Sequence, residues 1–146
     1  MKSLIHGEIK PVSVTQSSTF VYDETSYVAR NAIDGDMHTQ ARTATQSDAW
    51  FKATLDREYC ITTVVQYWYF NNNTYTCSQD TCSCEGGLCY LNSLSVYRKD
   101  GTVPGPDVPS GCKLGDTIKI EGKAGRRFVY VNELVIIPIT VGRSMR

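Results

Sequence analysis

The sequence lacks an excess of either charge, with 15 Lys and Arg offsetting 15 Asp and Glu across 146 residues. No net field draws such a chain to phosphates or to an anionic surface, so nucleic acid is not an expected partner. No apolar run approaches the roughly 20 residues that span a bilayer, and membrane insertion is not expected. The opening MKSLIHGEIK lacks the apolar segment of a signal peptide, so a secreted form would begin after a removed signal. Histidine is scarce: His6 and His38 are the only two. Neither stands with a Ser and an acid in a spacing that favours nucleophilic catalysis, and His38 beside Thr39 reads as a solvated loop residue. An enzyme is therefore not expected. Helical periodicity is nearly absent, with SYVARNAI good for at most a turn or two, and there is no internal repeat or low-complexity tract.

Strand signals are plentiful. WFKATL (50 to 55), ITTVVQYWYF (61 to 70), LNSLSVYRK (91 to 99), DTIKI (116 to 120) and RFVYVNELVII (127 to 137) are rich in β-branched and aromatic residues. Residues 71 to 90 read as a long loop held by cysteines, and DGTVPGPDVPSGC as a connector. Many short strands separated by turns predict one all-β domain, a sandwich in which Leu94, Val96, Ile118 and Ile120 face the core. Trp50 and Phe51 are expected to serve packing.

Six cysteines, Cys60, Cys77, Cys82, Cys84, Cys89 and Cys112, form an even set. Four of them crowd into CSQDTCSCEGGLC. Four thiolates would satisfy a tetrahedral zinc ion, but their spacing lacks the two separated C-x2-4-C pairs of a zinc knuckle. Disulfides in an oxidising compartment are the preferred reading, which places the chain as secreted or as the extracellular part of a larger surface protein. About 15 pairings are open to six cysteines. A clip local to residues 77 to 89 with a Cys60 to Cys112 bridge is one of them. A sequon at Asn72-Asn73-Thr74 agrees with secretion.

The segment NAIDGDMHT, residues 31 to 39, gathers Asn31, Asp34 and Asp36 around Gly35. A solvated turn would use the same residue types. A hard cation would use their oxygens, since Ca2+ takes about six to eight, from carboxylates and carbonyls together. Gly35 would let the backbone turn sharply enough for Asp34 and Asp36 to converge. The register of acids to glycine is not that of an EF-hand loop. Glu133, between apolar neighbours in a strand, would be costly to bury alone and asks for a cation or for a basic partner such as Arg30 or Arg42.

The order VSVTQSSTF, ARNAIDGD, TQSDAWFKATLDREYCITTVVQY, LNSLSVYRKDG and GDTIKIEGKAGRRFVYVNELVII resembles an F-type lectin (fucolectin) domain, one of the discoidin-like, galactose-binding-like β-sandwiches. The resemblance covers residues 10 to 138, leaving 1 to 9 as an N-terminal extension and 139 to 146 as a tail or linker. It implies a jelly-roll sandwich whose end loops bind sugar beside a buried calcium ion. Matching residues imply Asn31, Asp34, Asp36, Thr45, Asn132 and Glu133 as the metal site. The fucose motif itself is not met: YWYFNNNTY stands where Arg and Asp are expected, Cys82-Ser83-Cys84 replaces a contiguous cysteine pair, and Asp48 holds the position of a His. A sugar site of altered specificity would instead use Asp48, Tyr69, Asn72 and Tyr75, with Trp68 and Asn71 nearby. The expected partner is a glycan or glycoprotein. A protein ligand in adhesion or recognition is the alternative on the same scaffold.

Overall fold

The computed structural model describes residues 7–70, 73–78, 81–82, 92–122 and 128–139. The strands run β1 Ser13–Gln16, β2 Val21–Tyr22, β3 Thr25–Ser26, β4 Ala41–Arg42, β5 Trp50–Phe70, β6 Asn73–Ser78, β7 Thr81–Cys82, β8 Asn92–Tyr97, β9 Lys113–Gly122, β10 Tyr130–Val131 and β11 Glu133–Pro138. A 3-10 turn occupies Ala29–Ile33, which is the one short helical feature that SYVARNAI predicts. Every strand pairing is antiparallel.

The two strands predicted over 50 to 55 and 61 to 70 are one, the 21-residue β5. Between them Asp56, Arg57 and Glu58 are exposed. Their charged side chains reach water while the backbone stays extended, and the ladder to β9 shifts register between Thr54 and Tyr59. Such a bulge is how a strand passes from one layer of a sandwich to the other. The first half of β5 pairs with β1 and β9, and the second half with β11 and β6. The loop expected over 71 to 90 is also partly strand. β6 and β7 continue the sheet through Thr74, Tyr75, Thr76 and Thr81, residues that suit a pleated surface.

Inside the sandwich, Phe51, Ala53, Leu55 and Val64 from β5 meet Ile118 and Ile120 from β9 and Leu134 and Ile136 from β11, all buried. Each large side chain removed from water in this way contributes about 1.5–3 kcal/mol. Leu94 and Val96 pack against this cluster from β8, partly buried. A Cβ on Gly115 would lie 2.5 Å from the Tyr97 carbonyl oxygen, so glycine is what lets β8 and β9 approach there. Ile9 bridges to Ile136, its N–H 2.9 Å from the carbonyl oxygen.

Cys60 and Cys112 are disulfide-bonded across a sequence separation of 52, tying β5 to the connector ahead of β9. Cys77 and Cys82 stand opposite one another in the β6–β7 backbone register. Their side chains, like Cys84 and Cys89, lie outside the described residues.

Candidate functional site

The loop between the 3-10 turn and β4 begins where Gly35 adopts φ 79, in the left-handed region. Two carboxylates then cap the backbone in succession. Asp34 Oδ1 accepts the Asp36 N–H at 2.9 Å, and Asp36 Oδ1 accepts the His38 N–H at 2.9 Å. The side chains of Asp34 and Asp36 do not converge as expected. The Asp36 carboxylate turns outward to His38, whose Nδ1 lies 3.4 Å away. Its main-chain carbonyl turns inward instead.

What gathers the inward oxygens is Thr39. Its hydroxyl lies 2.5 Å from Asp34 Oδ2, 3.0 Å from the Asp36 carbonyl and 3.5 Å from the Asn31 carbonyl. A hydroxyl carries one hydrogen and can donate to only one of these acceptors at a time. The Asp36 carbonyl also accepts the Thr39 N–H at 3.2 Å, so one residue draws these oxygens together through both its hydroxyl and its backbone. Thr45, implied for this place by resemblance, is exposed and follows Ala44, whose N–H donates to Ser18 Oγ at 3.0 Å.

The distant half of the site comes from the turn between β10 and β11. Glu133 is 1% exposed, and its Oε1 accepts the Gly35 N–H at 2.8 Å. The carboxylate thus meets the loop through backbone. Arg42, one candidate for neutralising it, is engaged elsewhere. Asn132, 2% exposed, acts through its side-chain amide. Nδ2 donates to the Met37 and Thr39 carbonyls at 2.9 and 3.0 Å, and Oδ1 accepts from the Tyr69 N–H at 3.0 Å and from Gln40 Nε2 at 3.3 Å. One side chain so fastens the loop to the end of β5. Asn31 Nδ2 adds a bond to the Gln40 carbonyl at 3.0 Å.

Among the described residues no group of three or more His, Cys, Asp or Glu side chains is placed to hold a metal ion. A cation here would draw on the carboxylates of Asp34 and Glu133, the carbonyls of Asn31 and Asp36, and the Thr39 hydroxyl. That all-oxygen set, poor in formal charge, suits Ca2+ and not zinc.

Of the residues expected to meet a sugar, Asp48 is exposed at φ 60 in the loop ahead of β5. Tyr69 is half-buried, its ring edge-on to His38 with centroids 4.6 Å apart. Asn72 lies outside the described residues, as does the Tyr75 side chain, whose backbone pairs with Trp68. Trp68 offers no stacking face to solvent: it is 1% exposed and its indole N–H donates to the Tyr130 carbonyl at 2.6 Å.

A feature absent from the sequence reading adjoins this end. Arg42 in β4 has its guanidinium carbon 4.3 Å from the Phe20 ring centroid, 4.5 Å from that of Phe128 and 6.0 Å from that of Tyr130. Tyr22 and Tyr27 extend the aromatic surface from Phe20, at 6.4 and 5.3 Å. Two short sequence runs, TFVY and RRFVYVN, supply Phe20, Tyr22, Phe128 and Tyr130, Tyr27 comes from between TFVY and β4, and the pairing of β4 with β10 sets Tyr130 opposite the arginine.

No protein-family model matches the chain, and no curated protein matches it. Solved structures do. A carbohydrate-binding module (CBM32) of AlyQ in complex with 4,5-unsaturated mannuronic acid is 16% identical, covering 89% of this chain and 97% of that one at a TM-score of 0.58. The fucolectin from serum of Morone saxatilis (striped bass) is 15% identical over 86% of this chain and 46% of its own, at 0.60. A fucose-binding module of Streptococcus pneumoniae, SpX-3, is 14% identical over 88% and 94%, also at 0.60. The chain therefore has the antiparallel β-sandwich fold that F-type lectins share with discoidin-like carbohydrate-binding modules. At such identity the likeness carries the fold alone.

Proposed function

We propose that this chain is an extracellular carbohydrate-binding module, stabilised by calcium, that takes a glycan with the loops at one end of the sandwich. The observation that carries the metal is the Thr39 hydroxyl with three acceptor oxygens around it, in a loop whose Gly35 N–H is held by the buried Glu133 carboxylate. A divalent cation would take its ligands from these oxygens and from the carboxylates of Asp34 and Glu133. When bound, it would link the loop to the start of β11 and leave the chemistry of sugar contact to side chains.

Support for carbohydrate comes from the likeness to modules described as binding fucose, Lewis antigens or uronic acids. On this chain the rim residues Asp48 and Tyr69 would accept from sugar hydroxyls and present a ring face. The bonded Cys60–Cys112 pair agrees with an oxidising compartment. A glycan array probed in calcium, and again with chelator, tests the reading. Binding that weakens in chelator is expected. Silence across the array from a folded, calcium-loaded protein would turn the assignment to a protein ligand.

A further inference from the structure

We infer that Arg42 anchors a carboxylate on the bound saccharide, so that the glycan this module takes is an acidic one, a hexuronate; this rests on the carbohydrate-binding reading above. The backbone of Arg42 is held on both sides. Its N–H donates to the Tyr27 carbonyl at 3.0 Å, and its carbonyl accepts from the Phe20 N–H at 3.0 Å and from Gln16 Nε2 at 3.2 Å. Its guanidinium is flanked by Phe20 and Phe128 at 4.3 and 4.5 Å. Stacking fixes the plane of the fork in advance.

No carboxylate among the described residues pairs with this cation, and its Nε is buried without an acceptor. The fork's two terminal nitrogens are not among the buried unpartnered atoms and keep their donors for a ligand. A planar fork matches a carboxylate with two parallel hydrogen bonds.

The rings argue for a sugar attached to that carboxylate. Tyr22 is 65% exposed and stacks parallel to Phe20, at 4° between planes and 6.4 Å between centroids, so an open aromatic ring stands next to the ring that flanks the guanidinium. A pyranose can lay its C–H face on such a ring. In a hexuronate the carboxylate projects from the ring edge, which lets both contacts form at once.

The test is calorimetric titration of the whole chain in excess calcium with trimers of galacturonate, mannuronate and glucuronate. Galactotriose and the methyl ester of the galacturonate trimer serve as neutral controls, and sodium acetate as competitor. At least one acid should bind, with the neutral forms about 10-fold weaker or worse. Arg42→Gln should lose about 10–100-fold for the acid alone, and Arg42→Lys, which keeps the charge but not the fork, should recover only part. Tyr22→Ser disturbs no core packing and should weaken the acid severalfold, which keeps the proposal testable should Arg42 variants fail to fold. Rising salt should weaken acid binding. Equal binding of neutral and acidic trimers, or an undiminished Arg42→Gln, overturns the inference and leaves the carbohydrate-binding reading standing. No binding of any glycan, on the array or in the titration, overturns both. Acetate displacing the trimer at equal concentration removes the sugar from the inference.

Discussion

Replacing Glu133 by Gln separates what the carboxylate does for the fold from what it does for a cation. The Gln amide oxygen can still accept the Gly35 N–H that Glu133 Oε1 holds at 2.8 Å, while the formal charge disappears from a site that is 1% exposed. In chelator the variant should therefore match the wild type within about 1 kcal/mol, or exceed it, because a buried carboxylate carries a desolvation cost that the neutral amide does not. In calcium the order should reverse. Extracellular calcium sites have Kd values on the order of 10⁻⁴ to 10⁻³ M. At about 10 mM calcium, mass action then stabilises the wild type by roughly 1.4–2.7 kcal/mol. For a domain of this size that is a rise of roughly 3–11 °C in Tm, and the variant should show little of it. Differential scanning fluorimetry in the two buffers measures all four values. A wild type indifferent to calcium, or a variant that gains as much as the wild type, would refute the metal site.

Asn132→Ala removes a side chain that bonds to Met37, Thr39, Tyr69 and Gln40 and leaves those groups in a dry place. A loss of at least ~3 kcal/mol is expected, read as a lowered urea midpoint; a loss below about 1 kcal/mol would mean that water replaces it freely. Removing Cys60 and Cys112 together frees a 52-residue separation. The chain-entropy relation puts the cost near 4 kcal/mol, and an unchanged Tm without the pair would contradict it. Asp100 accepts the Thr102 N–H and hydroxyl at 2.9 and 2.7 Å, bonds that, with Arg98 nearby, hold its carboxyl below the ordinary value. A depressed folded-state value stabilises above the unfolded pKa, about 3.9, and the gain is lost as pH falls through the folded one. Asp100→Ala should accordingly lower the urea midpoint at pH 7 and converge on the wild type in acid; a constant offset across pH would show that charge plays no part.

The sandwich was legible because alternation is a local signal. Ile118 and Ile120 are buried where their spacing says. The corner of β5 was not, because Asp56, Arg57 and Glu58 look like a turn until the partners on either side show an extended backbone crossing between layers. At the loop, the residue types of NAIDGD pointed to gathered oxygens, and Gly35 to the turn. Which oxygens face inward depends on side chains that cap their own backbone, as those of Asp34 and Asp36 do, and a sequence pattern does not record that choice. Thr39 and Thr45 are chemically alike. Only the path of the chain through β4 separates them. Arg42 was read only as a possible partner for Glu133, and its aromatic setting was invisible for a different reason: Phe20 and Phe128 come from segments far apart in sequence, with no periodicity linking them.

One short run joins both halves of the reading. Tyr130 pairs with Arg42 and Val131 with Ala41 in the β10–β4 ladder, Asn132 fastens the loop, and Glu133 reaches Gly35. No flexible linker separates the arginine's ladder from the proposed cation pocket. A cation that restrains Glu133 would restrain the backbone carrying Tyr130, and hence the rings beside Arg42. Coupling of that kind is reciprocal, so whatever factor calcium adds to saccharide affinity, the saccharide must add to calcium affinity. Measuring calcium binding with and without the acidic trimer closes the cycle, and a calcium affinity untouched by a saturating saccharide would mean that the two sites, though adjacent in the chain, act independently.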